Sequence, residues 1–223
     1  EAGDNFVIKN FNELLNCNLF KNVTLGIDPK IFTKNEIKKF FLRYNKIEII
    51  EKNLIDKIHK ISSNYIKPFY SLKETVTGES HLKKITRVSN VLKKGKVDYL
   101  FTSAPENIAW LLNIRGHDNP NSPIPNCRLL LTKNKKIFII CENQKLKKLI
   151  KEKKIKNNQI IEPNKLKDFF SKIRTGKFII DSKTCSIFYR NFINSKHKIV
   201  KKNDPIYLLK SIKNNSEINN IIN

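Results

Sequence analysis

The chain has 223 residues, enough for one large domain or two smaller ones, each with its own core. Hydrophobic residues make up 39% and charged residues 29%, which is typical of a soluble globular protein and excludes a mostly disordered one. No apolar run approaches the roughly 20 residues that cross a bilayer, and the acidic start, Glu1–Asp4, is not a signal peptide. Met is absent altogether, so we expect the natural start to lie upstream.

The net charge of +24 raises the question of nucleic-acid binding. Only six of the 44 basic residues are Arg, and the Lys residues are scattered over every segment. Proteins that read base sequence favour Arg because its planar fork binds bases bidentately, and single-strand binders interleave aromatic with basic residues, which this chain does not. We therefore expect no specific nucleic-acid partner and no membrane partner, only weak, salt-sensitive adhesion to polyanions.

The four cysteines lie far apart without Cys-x-x-Cys spacing, and the four histidines are equally dispersed. A zinc site normally needs paired ligands at short spacing. Cys127, Cys141 and Cys185 lie in or beside apolar runs, as core cysteines do, and Cys17 is the fourth. We therefore predict no metal ligands in this chain, and reduced, partly buried thiols in a cytoplasmic protein.

The first quarter of the chain has the pattern of an α/β fragment. A β-branched run at 23–27 predicts a strand, and Thr33 with Glu36 predicts the capping box of a helix. The apolar face of that helix is predicted to contain Ile37, Phe40, Phe41 and Tyr44. A second strand is predicted at 46–50, followed by a helix capped by Asn53. The inner side of this last helix is predicted to contain Leu54, Ile55 and Ile58.

Ser, Asn, Pro and Gly residues mark 62–78 as a linker or crossing segment. A helix is predicted at 81–94, ended by Gly95 as the left-handed residue that often follows a helix. Its apolar residues are Leu82, Ile85, Val88, Val91 and Leu92. Strands are predicted at 97–102, 128–132, 136–141, 159–162, 177–181 and 198–200, with helices at 105–113, 144–153, 165–173 and 186–193. This alternation predicts an α/β sheet covered by helices.

The last segment, 205–223, is predicted to be the start of a long helix with Pro205 in its first turn. Its apolar face contains Ile206, Leu209, Ile212, Ile218, Ile221 and Ile222. Because no residue caps this face before Asn223, we expect the polypeptide to continue.

The most particular stretch is Ser103–Asp118, with the sequence Ser-Ala-Pro-Glu-Asn-Ile-Ala-Trp-Leu-Leu-Asn-Ile-Arg-Gly-His-Asp. It resembles the segment of Xaa-Pro aminopeptidases in which a strand and short helix lead into Ile-Ala-Trp-Leu-x-Asn-x-Arg-Gly-x-Asp and a Pro-rich loop. Two flanking passages agree with this resemblance. Leu25–Lys30 is similar to the family's Gly-x-Asp-Pro strand end, and Lys202–Glu217 is similar to the passage that leads into its catalytic domain.

The resemblance implies a creatinase N-terminal-like domain, with a mixed β-sheet flanked by helices, preceded by the C-terminal part of a similar domain. By it, 1–70 is the end of the first domain plus a linker, 76–204 is the second domain, and 205–223 begins the helix leading into a catalytic domain. That absent "pita-bread" domain would bind two divalent metal ions, commonly manganese, through Asp, His and Glu residues. No residue here matches those ligands, so the resemblance implies no catalytic residue and no cofactor in this chain.

The resemblance further implies that the parent enzyme is a hydrolase that removes an N-terminal residue from peptides with proline second. The region present here would form one wall of the substrate channel. Its partners would be the catalytic domain of the same polypeptide, a second copy in a homodimer, and the peptide substrate. The alternative is a stand-alone module that binds a peptide or polyanion without catalysis.

Four residues are candidates for a substrate-access loop: Asn113, Arg115, His117 and Asp118. Arg115 either shapes the peptide-binding path or is structural, pairing with a carboxylate such as Asp118 or bonding backbone carbonyls. His117 stands where relatives often have a small polar residue, which favours a surface histidine. We predict that Trp110 is a core residue and that Gly116 adopts a positive φ.

Overall fold

A computed structural model of the chain describes residues 8, 10, 13, 21–41, 45–58 and 66–222. The chain divides into two compact units. The first consists of Glu1–Lys60 with Ser186–Phe188, and the second of Ile61–Cys185 with Tyr189–Asn223. Predictions that concern Cys17 or Tyr44 lie outside the described residues.

The first unit contains a parallel pair of strands. Strand β1 (Thr24–Ile27) pairs with β2 (Lys46–Ile49), and helix α1 (Lys34–Phe40) connects them. The predicted capping box is confirmed, because the Glu36 backbone N–H donates to Thr33 Oγ1 (3.2 Å) and the Thr33 N–H donates to Glu36 Oε2 (2.8 Å). These two bonds satisfy donors that the first turn of a helix leaves unpaired.

The next helix, α2 (Leu54–Ile58), is capped by Asn53 as predicted. The prediction that Leu54, Ile55 and Ile58 form its inner side is wrong, because these residues are 56%, 65% and 83% exposed. The helix has only five residues, and no described residue of the first unit covers its apolar side. Helix α1 also ends earlier than predicted, with Phe41 as its C-cap residue.

From residue 66 onwards strands alternate with helices, and all of them belong to the second unit except for Ile187 and Phe188. In chain order they are β3 (Tyr70–Ser71), α3 (Glu74–Thr77), α4 (His81–Lys94), β4 (Tyr99–Thr102), α5 (Pro105–Leu112), β5 (Ile114–Arg115), β6 (Arg128–Thr132), β7 (Ile137–Ile140), α6 (Asn143–Lys151), β8 (Ile160–Ile161), α7 (Leu166–Lys172), β9 (Lys177–Ile180), α8 (Ile187–Asn194), β10 (Lys198–Lys201), α9 (Pro205–Ser211) and α10 (Asn215–Ile222). Most boundaries lie within two residues of those predicted.

Six strands form one sheet in the order β10-β9-β4-β6-β7-β8. Strands β10, β9 and β4 are parallel, β6 runs antiparallel to both β4 and β7, and β8 is parallel to β7. The sheet is therefore mixed, as the resemblance implied. Strands β6 and β7, both predicted, form a hairpin, and Lys135 in its turn has a positive φ of 66°. The short strands β3 and β5 pair antiparallel in a separate sheet.

Alternation along the central strands divides the core into two layers. Leu100 on β4 lies opposite Leu131 on β6 and Ile179 on β9. These residues share one hydrophobic cluster with buried residues of α4, α5, α6 and α9. The next residue, Phe101, faces the other side, with ring centroids 6.3 Å from Phe170 of α7 and 5.2 Å from Tyr189 of α8.

Helix α4 differs from its predicted apolar face. Leu82 is 64% exposed and Val91 is 38% exposed, whereas the fully buried positions include Val88 and Leu92. Lys84 takes a place on the buried side and is only 1% exposed. The helix does stop before Gly95, but Gly95 has a right-handed backbone and Lys96 carries the positive φ of 50°.

Residues 66–78 form a crossing segment with regular structure rather than a plain linker. Strand β3 and helix α3 lie here, and Phe69 just before them is completely buried.

The prediction of one long C-terminal helix is wrong, because the helix breaks between α9 and α10. Asn214 accounts for the break, since its Oδ1 accepts the Glu217 N–H (2.9 Å) and its N–H donates to Glu217 Oε2 (3.0 Å), a capping box that starts α10.

Within the described ranges, no helix combines the length and apolar character required to cross a membrane.

Two leucines of α4 provide a test of this packing. Leu92 is fully buried, so Leu92→Ala removes buried methyl groups and leaves a cavity, which we expect to lower the free energy of unfolding by about 2–5 kcal/mol. Leu82→Ala on the exposed side should change it by less than about 0.5 kcal/mol. Urea unfolding followed by circular dichroism measures both values, and equal losses for the two variants would contradict the orientation of α4.

Candidate functional site

The loop Asn113–Asp118, which contains all four candidate residues, begins at the end of α5. Helix α5 starts with Pro105 at its first position, where the missing N–H is not needed. Its buried residues Ile108, Leu111 and Leu112 hold it against the main core. The loop then forms β5, and Arg115 lies opposite Tyr70 of β3. The position of the loop therefore depends on a helix anchored in the core and on a short strand pair.

Asn113 is the residue that fixes the start of the loop. It is buried and adopts the left-handed conformation (φ 52°, ψ 48°) that Asn tolerates better than most residues. Its Oδ1 accepts from Lys84 Nζ (2.7 Å), and its Nδ2 donates to the Glu79 carbonyl (2.8 Å). Its own carbonyl accepts from the Leu72 N–H (2.9 Å) and from Lys154 Nζ (3.1 Å). Each of these polar atoms of Asn113 has a partner within the second unit, so the residue is a structural junction.

Lys84 is the least expected residue near the loop, because a buried lysine is uncommon. Besides Asn113, its Nζ donates to the Trp110 carbonyl (3.1 Å) and lies 4.3 Å from the Trp110 ring centroid, a cation–π distance. Burial is the main cause that lowers the pKa of Lys84 to about 8, and the carboxylates of Glu217 and Glu79 oppose this shift. The ammonium group therefore connects α4 to the end of α5.

Arg115 bonds backbone carbonyls, as one of its predicted alternatives proposed. Its Nη1 donates to the Ile114 carbonyl (2.8 Å) and to the Ala109 carbonyl (3.4 Å). The other alternative, a pair with Asp118, is not formed, and within the described ranges Arg115 has no ion pair. Burial lowers the pKa of Arg115, and Tyr70 opposes this shift. A half-buried guanidinium without a carboxylate partner can still receive one from a ligand.

Asp118 is committed to the Pro-rich loop. Its Oδ1 lies 2.8 Å from Lys145 Nζ, and its Oδ2 accepts the Asn126 N–H (2.6 Å). Burial alone would lower the pKa of Lys145, whereas the hydrogen bond to Asp118 and the charge of its carboxylate raise it. Together these effects leave the pKa of Lys145 above its ordinary value. The pair therefore connects the loop to α6.

His117 is exposed, as predicted, and its ring lies against that of Tyr70 with a centroid distance of 5.1 Å. Gly116 next to it does not adopt a positive φ, so that prediction is wrong. The residue is glycine for a different reason: an added Cβ would lie 2.7 Å from Pro125 Cα and 3.1 Å from the Phe69 ring. Backbone and ring approach each other too closely at this point for a side chain.

Trp110 packs against the main core, as predicted, but it stays partly exposed. Its Nε1 donates to Glu217 Oε1 (3.0 Å), which connects α5 to α10. Arg87 lies on the same side, with its Cζ 5.9 Å from the Trp110 ring centroid and its Nη1 2.8 Å from Glu79.

Sequence reasoning missed Lys84, Tyr70 and Lys154 as neighbours of the loop. Lys84 could have been found, because Lys84, Val88 and Leu92 are four residues apart and share one helix side. Tyr70 lay in a segment without clear periodicity. Lys154 lay in a Lys-rich stretch that is typical of a solvated face, and no pattern there distinguishes it from the neighbouring lysines.

The residues that the structure describes do not fit a pair of divalent metal ions. Among the described residues, no three His, Cys, Asp or Glu side chains lie close enough to hold one. Two buried carboxylates, Asp181 and Asp204, lie close together, but Asp181 Oδ2 accepts the Asp204 N–H (3.0 Å), Asp204 Oδ1 accepts the Ile206 N–H (2.9 Å) and Asp204 Oδ2 accepts from Asn107 Nδ2 (3.1 Å). These oxygens cap α9 and tie it to α5, so no metal-dependent step is assigned to them.

The described cysteines are equally unsuited to chemistry. Burial raises the pKa of the Cys127 and Cys185 thiols to about 12 and also raises that of Cys141. A thiol with so high a pKa is not ionised at neutral pH and is a poor nucleophile. The arrangement fixes the backbone of the loop and leaves the side chains of Arg115, His117 and Tyr70 at least partly exposed to solvent.

The lowered pKa of Lys84 has a measurable consequence. The folded pKa of about 8 lies below the ordinary value of 10.5, so the folded state binds fewer protons between these two pH values. The contribution of Lys84 to stability is therefore complete above pH 10.5 and is lost as the pH falls through 8. We expect wild type to gain on the order of 2 kcal/mol relative to Lys84→Met between pH 7.5 and 10, measured by urea unfolding. A constant difference between the two proteins over this range would contradict a lowered pKa.

Comparison with known proteins places this geometry in a family. A family model described as the Creatinase/Prolidase N-terminal domain matches residues 60–217. Xaa-Pro aminopeptidase 1 of Dictyostelium discoideum is 27% identical over 223 residues, which cover 92% of this chain and 35% of the relative. Xaa-Pro aminopeptidase ApepP of Drosophila melanogaster is 28% identical over 224 residues, with the same coverage of 92% and 35%. The chain thus spans about a third of the length of these curated relatives.

A solved structure shows the same fold. The crystal structure of X-prolyl aminopeptidase from Caenorhabditis elegans matches with a TM-score of 0.76 at 20% identity, covering 98% of this chain and 37% of that one. The mixed sheet flanked by helices and the resemblance to Xaa-Pro aminopeptidases are both confirmed. Because the family model covers well over half of the sequence, the chain belongs to the creatinase/prolidase N-terminal domain family.

Proposed function

We propose that this chain is the non-catalytic N-terminal and middle region of a metal-dependent Xaa-Pro aminopeptidase. The parent enzyme would hydrolyse the bond between an N-terminal residue and a following proline. In this proposal 1–70 is the end of a first creatinase-N-like domain with a linker, 76–204 is the second such domain, and 205–223 leads towards the catalytic domain.

One observation carries this proposal: relatives named as Xaa-Pro aminopeptidases match 92% of the chain while the chain covers only 35% of their length. The matched family is described as an N-terminal domain, so the remaining length provides room for a catalytic domain. The C. elegans enzyme with the same fold is described as a cytosolic enzyme with a di-nuclear active site. We propose the same arrangement here: a cytoplasmic enzyme whose two metal ions, manganese in our proposal, are bound outside this chain.

The loop Asn113–Asp118 is the part of this region that we propose to contact the substrate path. Asn113 and Asp118 are committed to other parts of the protein, so they hold the loop in place. Arg115 and His117 are the residues that remain available, the first as a guanidinium without an ion pair in the described ranges and the second as an exposed ring. A positive charge at this position would attract a peptide carboxylate or carbonyl. We further propose that the region contributes to a homodimer.

The first test measures peptide hydrolysis. We expect the 223-residue chain to be inactive on an Xaa-Pro dipeptide with added Mn²⁺, and the natural polypeptide that extends beyond it to be active. Matched substrates with alanine in place of the second proline should be cleaved far more slowly by the extended chain. Lack of activity in both chains would instead favour a stand-alone module that binds a peptide or polyanion.

The second test concerns Arg115 in the extended chain. Arg115→Gln removes the charge and should raise KM for Xaa-Pro peptides about tenfold with a smaller change in kcat, because it weakens binding rather than the chemical step. The matched control is Arg128→Gln, since Arg128 Nη1 also donates to a neighbouring backbone carbonyl, that of Cys127 (2.9 Å). If Arg115 is purely structural, Arg115→Gln should lower the unfolding midpoint and leave KM unchanged. That outcome would contradict a contact between Arg115 and the substrate.

A further inference from the structure

Two buried cysteines lie opposite each other at the open end of the β6–β7 hairpin. The register of the hairpin places Arg128 opposite Ile140. Continuing this register by one residue places Cys127, directly before β6, opposite Cys141, directly after β7. Both cysteines belong to the main hydrophobic cluster and are only 2% and 4% exposed. Residues that are directly opposite in an antiparallel pair share one face of the sheet, so the two thiols are neighbours.

The type of pairing brings the backbones of these two cysteines close together. Hydrogen-bonded and non-hydrogen-bonded pairs alternate along an antiparallel ladder. The Thr132 N–H donates to the Lys136 carbonyl (2.9 Å), so hydrogen-bonded pairs recur at every second residue from Thr132. Cys127 is at one of the intervening positions, where the Cα atoms of a pair are about 4.5 Å apart. A disulfide needs a Cα separation of roughly 4.4–6.8 Å, so this backbone permits one.

The electrostatics of the two thiols agree with this proximity. Burial raises the pKa of Cys141 and Cys127 raises it further, which indicates that the two sulfur atoms lie near each other. After burial, the charges of Asp118 and Lys145 also affect the pKa of both thiols. Asp118 and Lys145 form the ion pair between the Pro-rich loop and α6. The cysteine pair therefore lies beside the contact that holds the candidate loop in place.

We propose that Cys127 and Cys141 form a reversible disulfide when the protein is exposed to a low-molecular-weight disulfide such as oxidised glutathione. One cysteine thiolate attacks the oxidant, which gives a mixed disulfide and releases one reduced glutathione. The second cysteine then displaces the other glutathione. The two thiol protons end on the two glutathione sulfurs, so the protein is oxidised by two electrons and the oxidant is reduced to two thiols. The new bond joins the end of the Pro-rich loop to the start of α6.

Burial makes this exchange slow without preventing it. A thiol with a raised pKa is rarely ionised, which makes it unsuited to catalysis and slow to attack the oxidant. The pair lies where the two strands separate, so a local opening at the end of the hairpin exposes it while the rest of the sheet stays folded. After the first step the second thiol lies next to the mixed disulfide at high effective concentration. Disulfides of cytosolic proteins are usually transient and redox-sensing, which fits a reversible bond.

Peptide mapping of the natural full-length protein tests this proposal. The reduced, folded protein is incubated in increasingly oxidising glutathione buffers until the result is constant in time, then alkylated and digested with trypsin without reduction. Trypsin cleaves after Arg128 and Lys136, so Cys127 and Cys141 lie in separate peptides that a disulfide would join. We expect mass spectrometry to detect the joined peptides in most of the protein in oxidised glutathione alone, and dithiothreitol to remove them.

The matched control is Cys185→Ala, because Cys185 is as deeply buried (2%) and lies outside the hairpin. This variant should form the joined Cys127–Cys141 peptides to the same extent as wild type. Thiols of Cys127 and Cys141 that are alkylated at every buffer composition would overturn the proposal. Joined peptides that form only in unfolding concentrations of urea, or that contain Cys185 instead, would overturn it as well. The measurement needs no turnover, so its result is independent of the proposed peptidase.

Discussion

The buried ammonium group of Lys84 is the interaction on which the candidate loop depends. It reaches from α4 to the Trp110 carbonyl and to Asn113 Oδ1, at the residue where α5 ends and the loop begins. Burying a charge is costly. Two oxygens and the Trp110 ring offset part of this cost, and the lowered pKa of Lys84 reflects the part that remains. Asn113 in turn binds the backbone of Glu79 and Leu72. Loss of this contact would therefore disturb several segments at once.

The same region connects the loop to the C-terminal helices. Trp110 packs on Lys84 from one side and donates to Glu217 of α10, while Asp204 caps α9 and accepts from Asn107 of α5. Helix α5 is thus the shared support of the loop and of the segment that leads towards the rest of the polypeptide in our proposal. Such a support suits a region that positions surfaces, whereas the hard ligands needed for two-metal hydrolysis are not grouped in the described part of the chain.

Much of the fold could be predicted from sequence because its local signals are strong. The Thr33–Glu36 capping box, Pro105 at the start of α5 and the β6–β7 hairpin each depend on residues close together in the chain. The errors arose where distant residues decide. Gly116 is small because Pro125 and Phe69 approach it. The isoleucines of α10 are exposed, while Asn214, Glu217 and Asn220 bind other segments. The sequence also could not show that Arg115 and Asp118 do not pair, because Asp118 forms its ion pair with Lys145 of α6.

The central claim is that the hydrolytic metal centre lies outside this chain. Equilibrium dialysis against Mn²⁺ with metal analysis measures it directly, on the 223-residue chain and on the natural polypeptide extended beyond it. The account predicts two tightly bound ions per extended chain and no stoichiometric binding to the 223-residue chain. Two stoichiometric ions in the shorter chain, or none in the longer one, would contradict it.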